Sequence, residues 1–467
     1  MDAENTERTL NDLEEEIHTL QSSRSMLLLQ LRSIDLSLAQ LQAKYATAKN
    51  RMASIGSIPN EILAKIFRSG RDSNIPGEKR FEILASHITT VWREVAITTP
   101  SLWNILEIEP NRSSQMLAAY LTRAKACNLQ VRFNFLQEVW VPDQSVWDLI
   151  LPSVERWHSL EISVYDEAAL YTTIAHLEPL RASLLEEIII SRPRSSDVHP
   201  PIAYTHGLGF RNSGLFFHAG APRLHKLHLE YYLSSWPPLV HLTTLYLHNL
   251  PRSMRPSWNR FRDLLVSSSQ LSHLSIHGDV VSGKPPPNVD IQIPSLRCLR
   301  IRGTDTLGSR ASDLLLAISM PHLTSLTLYN MVYTDLDPWL SGFQLLHSLT
   351  SLTLYWPAFT AATYSKLGET MPHVIHLTLI DRQPEELLTF LGHPISGSFD
   401  FSWSGMTDFA LYPGDLGHGD IGAMIRNRST SAPLQQLRLG TVAPLPGVRV
   451  LAFDPPPPWP AWAEELT

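Results

Sequence analysis

Leu323-Thr-Ser-Leu326-Thr-Leu328 and, one unit later, Leu349-Thr-Ser-Leu352-Thr-Leu354 are near-copies of one six-residue core. Apolar residues stand at its first, fourth and sixth positions, and other apolar types replace leucine in the more distant copies. The pattern occurs ten times, beginning at residues 157, 185, 224, 242, 271, 296, 323, 349, 374 and 434. From 242 to 374 the cores begin 29, 25, 27, 26 and 25 residues apart, which indicates a repeated structural unit.

Each core is predicted to be a short strand whose alternate side chains point inward. Helical stretches between cores are predicted at residues 261–266, 311–318 and 421–426. The long interval before residue 434 leaves room for one degenerate repeat, which we place at residues 398–402. One strand and one helix per unit predict a stacked α/β solenoid.

This recurrence resembles the leucine-rich repeat family, although the asparagine common in that repeat is mostly missing. The resemblance covers most of residues 150–440 and implies an irregular α/β solenoid, which we assign to residues 107–445. Residues 446–467 form a Pro/Trp-rich tail. This tail is expected either to pack on the last repeat or to serve as a ligand motif.

Upstream of the repeats, residues 58–67 have the sequence Ile-Pro-Asn-Glu-Ile-Leu-Ala-Lys-Ile-Phe. Ser57 suits a helix cap, and Pro59 suits the first helical turn, where its missing N–H costs nothing. The apolar stripe that follows at helical spacing consists of Ile62, Leu63, Ile66 and Phe67. A second helix is predicted from residue 81 to 98, and residues 101–108 are predicted to turn into a strand.

These segments resemble the F-box of the large fungal F-box family, down to Thr-Pro-Ser-Leu-Trp at residues 99–103. The sequence departs from the family at residues 88–92, where the usual Cys and first basic residue before Trp are missing. The resemblance implies a small all-α module at residues 55–106 that docks on the Skp-type adaptor of a cullin–RING ubiquitin ligase. The adaptor-binding residues it implies are Ile58, Pro59, Ile62, Leu63, Ile66, Phe67 and Trp92. The alternative is that the apolar residues of this set are the core of a small helical domain.

Polar residues alternate with the last two leucines of each core. Because side chains alternate along a strand, these polar residues are expected on the concave face of the solenoid. Tyr and Arg recur there, and both are favoured at binding hot spots. We therefore predict a client-binding face, with an ordinary solvated strand face as the alternative, because Thr and Tyr also suit pleated surfaces. The candidate client-binding residues are Lys226, His228, Tyr246, His248, Arg300, Arg302, Tyr329 and Tyr355.

A third element, over residues 1–54, precedes the F-box-like segment. Residues 10–52 contain neither Pro nor Gly, and their apolar residues step by threes and fours with only Arg24 interrupting the series, which predicts a coiled-coil helix. Its seam consists of Leu10, Leu13, Ile17, Leu20, Leu27, Leu31, Ile34, Leu38, Leu41, Tyr45, Ala48 and Met52. The partner is a second copy, another protein or the chain's own F-box region. Acidic residues flank the seam early and basic residues flank it late, which favours antiparallel self-association.

Composition and missing motifs exclude several functions. The net charge of −7 argues against nucleic-acid binding, and no apolar run is long enough for a membrane span. Cys127 and Cys298 are too few for a disulfide framework or a Cys-based zinc site, and with no secretory signal at the start we expect the cytosol or nucleus. His225 and His228, three apart on a strand, face opposite sides.

The sequence contains no P-loop, H-E-x-x-H or G-x-S-x-G motif. We therefore expect no catalytic site, metal or cofactor. The sequence favours a non-enzymatic substrate-recognition subunit of a ubiquitin ligase. The alternative is a scaffold or self-associating interaction protein without a link to a ligase.

Overall fold

The computed structural model is mixed α/β, with a long N-terminal helix and a large parallel sheet. The chain divides into two compact units, Met1–Leu102 and Trp103–Thr467. The structure describes residues 2–52, 58–73, 80–110, 112–135, 142–164, 167–191, 217–230, 237, 239–248, 250, 255–286, 289–303, 311–342, 345–381, 384–394, 401–412, 418–429, 431–439 and 448–452. The predicted cap Ser57 and most of the predicted tail lie outside these residues. Within them, no helix is both long and apolar enough to cross a membrane.

The first unit begins with helix α1, which spans Asp2–Met52 and confirms the predicted N-terminal helix. Every side chain from residue 10 to 49 is exposed, and the seam leucines in this range are each more than half exposed. The alternative in which the seam packs on the predicted F-box-like region of the chain is therefore wrong for residues 10–49 of this structure. A continuous row of leucines is left in water, where its burial by a partner would stabilise a complex.

Three short helices and a 3₁₀ turn follow α1. Helix α2 spans Asn60–Asp72, α3 spans Phe81–Ile88 and α4 spans Thr90–Thr98, and the turn is Pro100–Leu102. Pro59 is the N-cap of α2. The sequence-based placement of Pro59 in the first helical turn is therefore wrong by one position. The all-α character expected for residues 55–106 is thus present in the described residues up to Leu102, whereas Ile105 and Leu106 belong to a strand.

The single helix predicted from residue 81 to 98 is wrong, because the chain breaks it at Thr89. The backbone of Thr89 is extended, with φ −141° and ψ 164°. Its hydroxyl accepts a hydrogen bond of 3.1 Å from the backbone N–H of Trp92. A threonine in this role satisfies an N–H group that would otherwise lack a partner at the start of α4.

Aromatic side chains form the core of this helical module. Phe67 is fully buried, and its ring centre lies 5.0 Å from that of Trp92 and 6.1 Å from that of Phe81. The smaller buried apolar residues around these rings are Leu63, Ala85, Val95, Ala96 and Leu102. A module of this size buries few side chains, so each one contributes a large share of its stability.

The second unit contains a parallel sheet of fourteen strands among its described residues, and the strands follow one another in chain order. They are β1 Ile105–Ile108, β2 Leu129–Phe135, β3 Trp157–Val164, β4 Glu187–Ser191, β5 Lys226–Leu229, β6 Thr244–His248, β7 His273–His277, β9 Cys298–Arg302, β11 Ser325–Tyr329, β12 Ser351–Tyr355, β13 His376–Ile380, β14 Asp408–Tyr412, β15 Gln436–Leu439 and β16 Arg449–Ala452. Two short strands, β8 Ile291–Gln292 and β10 Ile318–Ser319, pair with each other outside this sheet. The last four residues of each of the ten predicted cores lie in a strand of the large sheet, which confirms that part of the prediction. Strand β1 crosses residue 106, where the F-box-like segment was expected to end.

Helices occupy many of the connections between strands. They are α5 Ser114–Ala124, α6 Gln144–Ile150, α7 Glu167–Leu177, α8 Trp258–Ser267, α9 Ala311–Ala317, α10 Tyr333–Leu340, α11 Ala361–Thr370, α12 Glu385–Gly392 and α13 His418–Arg428. A 3₁₀ segment, Leu151–Arg156, follows α6. The three helical stretches predicted from the sequence fall in α8, α9 and α13, so they are confirmed, although Ile318 belongs to β10.

Ladders of apolar side chains run across the sheet and form its core. In the central strands, Leu326 pairs with Leu352, which pairs with Leu377, and all three are buried. The leucines two positions further along each strand form a second buried ladder. Full burial of one such side chain is worth about 1.5–3 kcal/mol, so the ladders fix which side of each strand faces inward.

The degenerate repeat predicted at residues 398–402 is misplaced. Residues 398–400 lie outside the described part, and Phe401 makes an isolated bridge with Pro394. The strand in this interval is β14, whose Phe409 pairs with Leu377 of β13. The residues at the first, fourth and sixth positions of its core are Met406, Phe409 and Leu411. This core was not recognised in the sequence because methionine and phenylalanine replace leucine at its first and fourth positions.

Candidate interaction surfaces

The predicted client-binding residues lie on neighbouring strands in matching register. Tyr246 of β6 pairs with His228 of β5 and with Ser275 of β7, and Arg300 of β9 pairs with Ser275 and Thr327. Because side chains alternate along a strand, these residues share the side opposite the leucine ladders. We call this side the polar face; it consists of Lys226, His228, Glu230, Thr244, Tyr246, His248, His273, Ser275, His277, Cys298, Arg300, Arg302, Ser325, Thr327, Tyr329, Ser351, Thr353 and Tyr355.

The polar face is packed and is not an evenly solvated strand surface. The buried members of the predicted set are His228, Tyr246, Arg300 and Tyr329, each less than 10% exposed. The partly exposed members are His248, Arg302 and Tyr355, and Lys226 is exposed. The large side chains cover one another, so a partner meets the partly exposed members before it meets the buried ones.

Histidine rings cluster on β5, β6 and β7. The centre of the His248 ring lies 4.9 Å from that of His228 and 5.6 Å from that of His277. Tyr246 packs edge-on against His228, with ring centres 5.9 Å apart. A nitrogen of His248, Nε2, lies 3.3 Å from the hydroxyl of Ser275 on the next strand. These contacts hold the rings in a continuous patch across three strands.

Arginine and tyrosine side chains form the adjacent part of the face. The guanidinium carbon of Arg302 lies 4.5 Å from the centre of the Tyr329 ring, and that of Arg300 lies 5.8 Å from it. Tyr329 stacks on Tyr355 with ring centres 5.2 Å apart. Cation–π contacts contribute about 0.5–2 kcal/mol each, depending on exposure. The two guanidinium groups are thereby held in place, where their forked donors suit carboxylates or phosphates.

The protonation states follow from burial. Burial lowers the pKa of His248 well below its usual 6.5, and burial with nearby Arg302 and Arg300 lowers the pKa of His277 to about 3. Burial raises the pKa of Tyr246 above its usual 10. Burial also lowers the pKa of Arg300, although an arginine side chain stays charged at neutral pH. At neutral pH these two rings are neutral, and the arginines contribute positive charge to this part of the face.

One group of potential metal ligands occurs among the described residues. The ligand atoms of His228, Glu230 and His248 all lie within 4.8 Å of one another. The sequence-based expectation of no metal site rested on His225 and His228, of which only His228 belongs to β5. It did not take into account that His228 and Glu230, two residues apart, lie on the same side of the sheet as His248 on the next strand. The signal was present in the strand register.

The first three strands continue the same side of the sheet with a ladder of alternating charge. Glu107 of β1 pairs with Arg132 of β2, which pairs with Glu161 of β3. Arg132 Nε lies 3.1 Å from Glu161 Oε2, and Arg132 Nη1 lies 3.8 Å from Glu107 Oε1. This ladder was not predicted, because β2 lacks the leucine core that marks the other strands. Its charges are partly exposed, so they favour specificity more than stability.

The helical module of the first unit presents its own apolar surface. The exposed apolar side chains are Ile62, Ile66, Leu84, Ile88, Val91 and Ile97. Of the predicted adaptor-binding set, the exposed members are Pro59, Ile62 and Ile66, the partly exposed members are Ile58 and Trp92, and the buried members are Leu63 and Phe67. The buried pair stabilises the module itself. Only the other five residues of the predicted set are accessible for direct contact with a partner.

No protein-family model matches the chain, and no curated protein matches its sequence.

Proposed function

We propose that the chain is the substrate-recognition subunit of a cullin–RING ubiquitin ligase in the cytosol or nucleus. In this proposal residues 55–106, which include the helical module, are an F-box that docks on a Skp-type adaptor. The sheet with its connecting helices is a leucine-rich-repeat solenoid, and its polar face binds a client protein. The chain acts without catalysis, because linking two binding sites raises the local concentration of the client near the ligase.

The apolar surface of the small helical module is the observation that supports this proposal most. Ile62 and Ile66 lie one turn apart on α2 and are each 44% exposed. Isoleucines four residues apart share one face of a helix. An apolar surface on a module with so small a core is typical of a protein-docking site.

Truncation of this surface is expected to weaken adaptor binding without unfolding the module. In an Ile62→Ala/Ile66→Ala variant of the full chain, each change should cost about 1 kcal/mol of binding free energy. Together they should raise the Kd for a purified Skp-type adaptor roughly thirtyfold. Titration calorimetry with the wild-type and variant chains measures this difference.

The matched control for this experiment is Val266→Ala/Leu316→Ala, which truncates two exposed apolar residues of the second unit. This control should bind the adaptor as the wild-type chain does. The docking assignment fails if the wild-type chain does not bind the adaptor, or if the α2 variant binds it unchanged.

A self-associating scaffold is the second candidate, and the exposed seam of α1 favours it. Glu14 and Glu16 flank the seam near its start, and Lys44 and Lys49 flank it near its end. In a parallel pair the basic ends of two copies would meet, whereas an antiparallel pair sets acid against base. Antiparallel self-association through α1 is compatible with the ligase proposal and also with a scaffold that binds no adaptor.

Charge placed in the seam is expected to separate the copies. Leu31→Asp/Leu38→Asp puts two carboxylates at seam positions and should raise the self-association Kd at least about tenfold, because burying an unpaired charge is costly. The matched control is Leu29→Asp/Leu36→Asp, which changes two leucines of α1 that lie off the seam and are also more than half exposed. Sedimentation equilibrium of the full chains tests the prediction. A monomeric wild-type chain at high micromolar concentration would remove this candidate.

A further inference from the structure

The strand register brings three side chains with metal-binding chemistry to one spot on the polar face. His228 lies in β5 and Glu230 directly follows its last residue. Because the two are two residues apart along the chain, their side chains lie on the same side of the sheet. Leu229 pairs with Leu247 of β6, and His248 is the residue that follows Leu247. His248 therefore lies beside Glu230 on the neighbouring strand. The ligand atoms of all three residues lie within 4.8 Å of one another.

These distances are close to those of a formed metal site. His228 Nε2 lies 3.8 Å from Glu230 Oε1. In a tetrahedral zinc site with bonds of about 2.0–2.2 Å, neighbouring ligand atoms lie about 3.4 Å apart. Side-chain rotations that move the ligand atoms by at most about 1.4 Å reach this spacing, with no shift of the paired backbones of β5 and β6.

The type of ligand identifies the class of metal. Two imidazole nitrogens with one carboxylate oxygen suit zinc and similar divalent transition metals, and this set leaves a coordination position open. Magnesium and calcium prefer sites made of oxygen atoms alone. Arg300 and Arg302, on β9 with β7 between, oppose any cation by their charge. A metal that gains most of its affinity from nitrogen coordination tolerates this repulsion better than magnesium or calcium.

We propose that His228, Glu230 and His248 form a binding site for a divalent transition metal of the zinc class. The Ser275 hydroxyl of β7 lies 3.3 Å from His248 Nε2, so it supports the ring from behind when Nδ1 of His248 binds the metal. Groups that hold a metal-binding histidine from behind fix the orientation of its ring. The site does not depend on the proposed ligase role, since it rests on the geometry of two strands.

Equilibrium dialysis of the full chain against Zn²⁺, after removal of metal with a chelator, tests the site. The wild-type chain should bind one equivalent more than a Glu230→Gln or His248→Asn variant at the same Zn²⁺ concentration. Each variant should bind the metal at least about tenfold more weakly, since even loss of a supporting group has such an effect. Visible absorption of the Co²⁺-loaded chain gives a second readout, because four-coordinate cobalt absorbs strongly and should lose this signal in both variants.

His273→Asn is the matched control, since residue 273 belongs to the polar face but not to the proposed ligand set. This variant should bind Zn²⁺ as the wild-type chain does. Glu230 is partly exposed, so its change to Gln should leave the fold intact, which circular dichroism verifies. The proposal is overturned if the wild-type chain binds no equivalent of Zn²⁺, or if the Glu230 and His248 variants keep wild-type affinity.

Discussion

Replacement of Arg428 by alanine is expected to lower the free energy of unfolding by about 3–5 kcal/mol. Arg428 lies near the end of α13, and no part of it is exposed. Its guanidinium donates to the backbone carbonyl oxygens of Leu391 at 3.2 Å, Ser402 at 3.1 Å and Trp403 at 2.8 Å. The side chain thus ties the end of α12 to the turn that leads into β14.

The size of this effect follows from what alanine would leave behind. Each buried carbonyl that loses its donor costs about 1–3 kcal/mol, and the missing side chain adds a cavity. Burial lowers the pKa of Arg428 to about 10, so the group is still protonated at neutral pH and keeps its donors. The deletion therefore removes a charged donor from three oxygens together.

Chemical denaturation of the full chain, followed by circular dichroism, measures this loss. Arg426→Ala is the matched control, because it changes an exposed arginine of the same helix. Its effect should stay within about 0.5 kcal/mol. Equal stability of the Arg428 and Arg426 variants would show that the three carbonyl contacts contribute nothing.

The sequence predicted the strands well where leucine marks the core. A core such as the one at residues 323–328 has three apolar positions that match the ladder side of a strand, so both the strand and its register follow from the pattern. Strand β14 was misplaced because Met406 and Phe409 stand at the first and fourth positions of its core, where the other cores mostly have leucine. Strand β2 was missed because it alternates without a leucine at the start of its core.

The sequence predicted which side of each strand the candidate residues occupy, but it did not predict how their side chains pack. Alternation along each strand placed Tyr246, His248 and Arg300 on one side, and the pairing of successive strands aligned them. The burial of Tyr246 and the approach of His228 to Glu230 depend on side-chain rotation and on neighbours from several strands. The strand register places the histidines on one side of the sheet, but sequence spacing holds no information about the distances between their side chains.

The helical module illustrates the same limit at Thr89. Apolar spacing from residue 81 to 98 is helical throughout, and it does not reveal where the backbone turns. The decisive feature is a hydroxyl that bonds the backbone N–H of Trp92. Ser and Thr compete with helical hydrogen bonds in this way, so a Thr-Thr pair at residues 89–90 is the available signal.

Phe67→Ala is the second change with a large expected effect, and its effect is on folding. Phe67 is fully buried between Phe81 and Trp92, and loss of such a ring costs about 3–5 kcal/mol. A Cβ added at Gly70 would come within 2.6 Å of the Phe81 ring, so α2 and α3 are already packed closely beside this core. We expect amide hydrogen exchange across residues 60–98 of the full chain to lose most of its protection.

Ile66→Ala is the control for this variant, because its neighbour Ile66 is 44% exposed and its truncation leaves the core filled. Exchange protection in the Ile66 variant should match the wild-type chain, and unchanged protection in the Phe67 variant would refute the assigned core. The pair also decides how docking data are interpreted. Loss of adaptor binding in the Phe67 variant would report unfolding of the module, because a buried ring cannot touch a partner. Loss in the Ile66 variant, with protection intact, would report the contact surface itself.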